Sequence, residues 1–162
     1  MANSVPANIN SLATVGVGRE IGPRMLHPLS FSQLRGFVKR CNVLVCQLPL
    51  TEKTCDILNM EIFDLMPDDG YVINVGRGAH LNETDLISAI NKGKLKGACL
   101  DVFKIEPLPK DSDLRNKISI KLTPHIAGGI FPIEQAKYAI EVILFFLKKI
   151  EVKGIVNKKL SY

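Results

Sequence analysis

YVINVGRGAHLNETDLISAINKGKLKGACLDVF, residues 71–103, contains a strand, a helix and a second strand in that order. Residues 71–75 form a short apolar run closed by Gly76-Arg77-Gly78. Asn82 or Thr84 then offers the short polar side chain that a helix start needs, and the helix runs through Ile90. Gly93 follows where a left-handed glycine commonly ends a helix. Residues 98–103, apolar but for Asp101, read as the next strand. A strand, a helix and a strand at this spacing make a βαβ unit, and such units build parallel sheets.

The same alternation extends outward on both sides. Residues 42–48 are a continuous apolar run, as in a strand buried on both faces, and Pro49 ends it. Residues 54–65 carry Ile57, Leu58, Ile62 and Leu65 at helical spacing. Pro67-Asp68-Asp69-Gly70 has turn chemistry. Further back, residues 12–17 are strand-like and run into glycines. Residues 21–34 carry a short helix interrupted by Pro23 and Pro28, and 31–40 a helical turn or two. Beyond the central unit come a Pro-rich loop at 106–113, a strand at 118–122 ended by Thr123-Pro124, and a helix from about 133 to 151. Residues 1–11 read as a loose leader and 152–162 as a basic tail, leaving 12–151 as the folded domain. The predicted architecture is α/β, a Rossmann-like, mostly parallel sheet with flanking helices.

Composition agrees and narrows the function. The chain has 162 residues, 46% hydrophobic and 23% charged, which fits a globular domain and excludes wholesale disorder. Its net charge of +5 owes much to Lys148, Lys149, Lys153, Lys158 and Lys159 near the end. No basic stripe with interleaved aromatics appears, so nucleic acid is not an expected partner. The longest apolar run, 142–147, is far too short to cross a bilayer, so no membrane partner is expected either. Cys41, Cys46, Cys55 and Cys99 lack metal-ligand or redox spacing, so no metal is expected, and a reducing, cytoplasmic setting is the default.

Crossovers in a parallel sheet are right-handed and bring the strand C-termini to one rim, where ligands bind. The chemistry should therefore lie in 16–22, 48–54, 76–80, 101–109 and 123–129. Arg77, Glu106 and His125 fall in three of these loops. Singly, they read as a turn arginine, a solvated carboxylate and a structural histidine. Together they make a specific kit. Arginine grips a carboxylate with a planar fork of donors. Histidine is the usual acid near neutral pH. A glutamate bonded to it favours the imidazolium. That kit suits reduction of a 2-oxo acid by a nicotinamide cofactor.

Residues 73–109, INVGRGAHLNETDLISAINKGKLKGACLDVFKIEPLP, followed by ISIKLTPHIAGG at 118–129, resemble the D-isomer-specific 2-hydroxyacid dehydrogenases, most closely their glyoxylate/hydroxypyruvate reductase A branch. The matching blocks are Gly76-Arg77-Gly78, Leu100-Asp101-Val102-Phe103 with Glu106-Pro107, and Pro124-His125-Ile126, preceded by Leu48-Pro49-Leu50-Thr51. The resemblance covers about 42–162. It implies that Arg77 binds substrate, that His125 is the acid/base and that Glu106 is its carboxylate partner. It also implies that Leu48, Pro49, Gly76 and Asp101 lie at the cofactor, NADP or NAD, with the branch favouring NADP. His80, three residues after Arg77, reads as a helix-entry or surface residue.

The pattern is not matched throughout. A dinucleotide fingerprint is G-x-G-x-x-G after a strand, whereas Gly16, Gly18 and Gly22 place the third glycine one residue late. These three are still the expected phosphate-loop residues. The family's second strand, and with it the residue that reads the ribose, has no evident counterpart after Leu29. Nor has the family's N-terminal substrate domain. The expectation is an oxidoreductase acting on small 2-oxo or 2-hydroxy acids, as a homodimer. The alternative is a non-catalytic relative that serves as a nucleotide-binding or assembly module.

Overall fold

Six strands pair into one sheet in the computed structural model, which describes residues 12–16, 25–26, 31–128 and 132–147. They are β1 (Leu12–Gly16), β2 (Met25–Leu26), β3 (Val43–Gln47), β4 (Gly70–Asn74), β5 (Leu95–Leu100) and β6 (Ile120–Leu122), in the order β2-β1-β3-β4-β5-β6. Every neighbouring pair is parallel. The helices are α1 (Phe31–Val38), α2 (Met60–Leu65), α3 (Glu83–Asn91) and α4 (Pro132–Leu147). The chain divides into two units, Met1–Ala127 and Gly128–Tyr162. The first holds the whole sheet. In the second, α4 presents Ile140, Ile143 and Leu147 on its surface.

The register aligns the functional loops. Cys46 pairs with Asn74, Asn74 with Leu100, and Leu100 with Leu122. One step further along each strand, Gln47 ends β3 while Val75, Asp101 and Thr123 leave the sheet at the same level. Gly16 pairs with Gln47, so β1 ends there too. From β1 the chain moves outward to β2 and then crosses to β3 on the other side of β1. The gap between the ends of β1 and β3 is thus the switch point, where an open parallel sheet forms a crevice.

The core explains why these segments hold. Leu44, Ile62, Phe63, Val72, Leu86 and Leu100 are fully buried, and so contribute roughly 1.5–3 kcal/mol each. Asn82 caps α3 by accepting from the Asp85 amide at 3.1 Å, and Asp85 accepts from the Met60 amide at 2.9 Å. One side-chain chain thus starts two helices. Gly93 takes φ +75 and the Lys94 amide reaches back to the Ala89 carbonyl, so α3 ends as its sequence predicts.

Three expectations are corrected. The second strand is not missing: Met25 and Leu26 pair with Thr14 and Val15. Proline donates no amide to a helix, and in a stretch holding both Pro23 and Pro28 the residues Met25 and Leu26 extend instead. The helix read over 54–65 starts only at Met60, because Asp56 takes φ 49 and extended Asn59 caps the start through the Ile62 amide. The strand read over 98–103 runs from Leu95 to Leu100. Exposed Lys96 alternates with buried Leu95 and Gly97, a half-exposed pattern that an apolar-run criterion passes over.

Candidate active site

Asp101, the first residue past β5, organises the rim. Its carboxylate is almost fully buried. Oδ1 accepts from the Thr123 hydroxyl at 2.5 Å and from the Ile126 amide at 2.9 Å, and Oδ2 accepts from the Ala127 amide at 2.9 Å. The Asp101 carbonyl also accepts from the His125 amide at 2.8 Å. Burial pushes the carboxyl pKa up. The Thr123 hydroxyl and the two amides outweigh this and hold it below the ordinary carboxylate value. A charged Asp101 therefore ties the loop after β6 to the end of β5.

That tie sets His125. It has φ 56, a left-handed conformation uncommon for a residue with a side chain and persisting only where its surroundings enforce it. Its Nδ1 donates to Glu106 Oε2 at 2.8 Å, and Glu106 Oε1 accepts from the Phe103 amide at 2.9 Å. The bond from His125, then the one from Phe103, hold the Glu106 carboxyl below its ordinary value. Glu106 is therefore a carboxylate near neutral pH, His125 carries its proton on Nδ1, and Nε2 is left for other work. About half of the His125 side chain is exposed, so Nε2 is reachable. A cleft of about 610 Å³ opens beside the pair, lined by Phe103, Glu106, Pro107, Leu108, Arg115, Leu122, Thr123, Pro124 and His125.

Arg77 is exposed on the neighbouring loop and is not part of that lining. Its Nη1 donates to the Gly76 carbonyl at 2.8 Å. What joins its loop to the histidine pair is Gly78. A Cβ there would lie 1.9 Å from the Phe103 carbonyl carbon and 2.4 Å from the Lys104 nitrogen. Only a bare backbone fits this contact, and Phe103 is the residue whose amide holds Glu106.

Sequence reading missed two supports of the rim loops and misjudged a third. Asn74 is fully buried, accepts from the Gly76 amide at 3.1 Å and donates to the Arg77 carbonyl at 3.0 Å. Its signal was a lone amide inside an apolar strand. Thr123, which bonds Asp101, left none. His80 is no surface residue: it is fully buried, and its Nδ1 accepts from the Arg77 amide at 3.1 Å while Nε2 faces the Pro49 carbonyl at 3.3 Å. Burial lowers the His80 pKa, the Pro49 carbonyl opposes this, and the Arg77 charge adds to it.

A pH effect on stability follows. The unfolded chain takes up a proton near pH 6.5 that folded His80 still refuses. The stability His80 confers is complete above that pH and is lost as pH falls towards the folded value, at up to about 1.4 kcal/mol per pH unit. The melting temperature should fall on going from about pH 7 to about pH 5.5. That slope should shrink in His80→Asn, read by thermal unfolding in matched buffers; an unchanged slope would remove His80 as its source.

The residues present fit a dinucleotide at the switch point. Gly16 ends β1 without a side chain, and buried Leu48 with half-buried Pro49 forms the wall at the end of β3. Gly76 faces that wall, since a Cβ there would lie 3.2 Å from the Leu48 carbonyl oxygen. Gly18 and Gly22 lie outside the described residues. Among the described residues no cluster of three His, Cys, Asp or Glu is arranged to hold a metal ion, and no helix is long and apolar enough to cross a membrane.

The sequence matches the family model for the D-isomer specific 2-hydroxyacid dehydrogenase, NAD binding domain, over residues 14–127. It is 42% identical over 130 residues to glyoxylate/hydroxypyruvate reductase A of Salmonella heidelberg (strain SL476), a match covering 80% of this chain and 42% of the relative. The fold is similar to a D-isomer specific 2-hydroxyacid dehydrogenase from Xanthobacter autotrophicus Py2, solved with NADPH and MES, with TM-score 0.82, 30% identity, and coverage of 92% of this chain and 62% of the other. It is also similar to the NADPH-dependent glyoxylate/hydroxypyruvate reductase from Sinorhizobium meliloti, solved with NADP and sulfate, with TM-score 0.80, 27% identity, and coverage of 92% and 49%. The chain thus spans less than half the length of the curated relative it matches.

Proposed function

The chain belongs to the D-isomer-specific 2-hydroxyacid dehydrogenases through their NAD-binding domain, and from that premise we propose that it serves the reduction of small 2-oxo acids, of the glyoxylate or hydroxypyruvate type, to 2-hydroxy acids. The observation that carries this reading is the 2.8 Å bond from His125 Nδ1 to Glu106, on a loop pinned by Asp101. Two similar structures were solved with NADPH or NADP, which favours NADP over NAD as the cofactor.

The reaction adds a hydride to a carbonyl carbon and a proton to its oxygen. NAD(P)H supplies the hydride when bound. Arg77 takes the substrate carboxylate through its guanidinium fork and so orients the adjacent carbonyl. His125 delivers a proton from Nε2 to the carbonyl oxygen, while ionised Glu106 stabilises the imidazolium and fixes its orientation. In the oxidative direction His125 takes that proton back. Asp101 holds the His125 loop, Gly16, Leu48, Pro49 and Gly76 form the dinucleotide side of the crevice, and Gly18 and Gly22 are the phosphate-loop glycines by sequence alone.

One titration tests the proposal. The purified protein is titrated with NADPH and with NADH, and glyoxylate is then added. Binding followed by turnover supports a reductase. Binding without turnover supports a nucleotide-binding module, and no binding would refute both. Arg77→Met is expected to raise the KM for glyoxylate by about 10²-fold, the scale of a lost charge-assisted pair, with cofactor affinity retained. An unaltered KM in initial-rate measurements would remove Arg77 from substrate binding.

A further inference from the structure

Both backbone polar groups of Arg77 are held by buried side chains. The carbonyl accepts from Asn74 at 3.0 Å, and the amide donates to His80 Nδ1 at 3.1 Å. Asn74 and His80 are each fully buried, whereas the Arg77 side chain is exposed. The arrangement is a rigid bracket around the Cα of one outward-facing cation. His80 is itself anchored, because its carbonyl accepts from the Leu58 amide at 2.9 Å and the Asn82 amide donates to the Leu58 carbonyl at 2.9 Å.

The far nitrogen of the ring gives the bracket a second end. A carbonyl can only accept, so His80 Nε2 carries the hydrogen directed at Pro49 O, 3.3 Å away. Nδ1 must be bare to accept from Arg77. Only the neutral imidazole with its proton on Nε2 meets both demands. The same Pro49 carbonyl accepts from the Thr54 hydroxyl at 2.8 Å, which fixes it in turn. A side chain at Gly76 would press on the ring, since its Cβ would lie 3.0 Å from Nδ1.

We propose that His80 is a positioning residue for Arg77, a neutral imidazole strut that sets the Arg77 backbone against the loop after β3 and so aims the guanidinium at the substrate carboxylate. The inference rests on the reading of Arg77 as the carboxylate-binding residue. It extends that reading to a residue that meets neither substrate nor cofactor.

The test uses three substitutions that split the strut. The Oδ1 of asparagine falls near the position of Nδ1 and can still accept from the Arg77 amide. Glutamine places its terminal amide near Nε2 and can still reach Pro49, but it loses the Arg77 contact. Leucine loses both. Two quantities are read for each: hydrogen exchange of the Arg77 amide by NMR, and the affinity for oxamate, an unreactive 2-oxo acid mimic, with NADPH present. His80→Leu and His80→Gln are expected to speed Arg77 exchange and weaken oxamate about tenfold, the scale of one net hydrogen bond. His80→Asn should restore both, and thermal unfolding of each variant confirms that it folds. A merely structural histidine would give oxamate affinities that follow melting temperature, with Gln rescuing as well as Asn; that result would overturn the proposal. Wild-type oxamate affinity in His80→Leu, with Arg77→Met impaired, would overturn it too. If Arg77→Met leaves oxamate affinity intact, the carboxylate reading itself fails and the proposal falls with it, whatever the exchange data give.

Discussion

His125→Gln is expected to lower the rate of NADPH-dependent reduction of glyoxylate by about 10²- to 10⁴-fold, the range that a positioned acid contributes, while leaving NADPH affinity close to that of the unaltered protein. Glutamine has nearly the reach of histidine and sets its terminal amide near the position of Nε2, so the half-exposed site still accepts it although the Nδ1 bond to Glu106 is lost. What it lacks is a proton to give. Glu106 keeps the Phe103 amide as a donor to its charged form, so without His125 it still stays a carboxylate near neutral pH and cannot take over as the acid. Nor is Asp101 a substitute, since it too is held ionised and is almost fully buried. The measurement is loss of NADPH absorbance under saturating glyoxylate, with cofactor binding followed separately by fluorescence. Turnover within a few-fold of the unaltered protein would exclude proton transfer by His125. Loss of NADPH binding would mean that the substitution had disturbed the crevice, and the rate would then say nothing specific about the acid.

The three residues proposed to carry the chemistry could be singled out in the sequence because glycine and proline mark where strands stop. Gly76 and Gly78 bracket Arg77, and Pro107 and Pro124 flank Glu106 and His125. A parallel sheet then sends all three loops to one rim. The supporting residues were not readable, because their meaning lies in long-range pairing. His80 meets Pro49 across 31 positions and Asp101 meets Thr123 across 22. No spacing rule reaches that far, and a histidine in a loop looks alike whether buried or exposed. The role of Asp101 was legible only in part. Its position at a strand end pointed to the crevice, but its carboxylate also holds the Ile126 and Ala127 amides that give His125 its left-handed backbone. Two-residue β2 lies below the length at which a period-two pattern can be recognised.

Gly78→Ala is expected to produce the largest structural loss of any single methyl group added in the described rim. The new Cβ would lie 1.9 Å from the Phe103 carbonyl carbon, 2.1 Å from its oxygen and 2.4 Å from the Lys104 nitrogen. All three are backbone atoms, so no side chain can swing aside, and the two loops must separate by more than an ångström. Overpacking of this kind typically costs about 1–3 kcal/mol and occasionally more; with backbone on both sides, the upper end applies. The damage should also spread in a defined direction. Phe103 gives its amide to Glu106 Oε1, and Glu106 holds His125, so pushing Phe103 away loosens the acid as well as the fold. Urea unfolding and glyoxylate turnover, measured on the same preparation, separate the two effects: activity should fall even at low denaturant, where the variant remains folded. Gly36→Ala is the matched control. It lies in α1 with nothing within 4 Å of its added Cβ, and there the better helix propensity of alanine should raise stability by up to about 1 kcal/mol. If Gly78→Ala unfolds at the same urea concentration as the unaltered protein and keeps its turnover, the Gly78–Phe103 contact does not join the arginine loop to the histidine pair, and the proposed cooperation of Arg77 with His125 loses its physical basis.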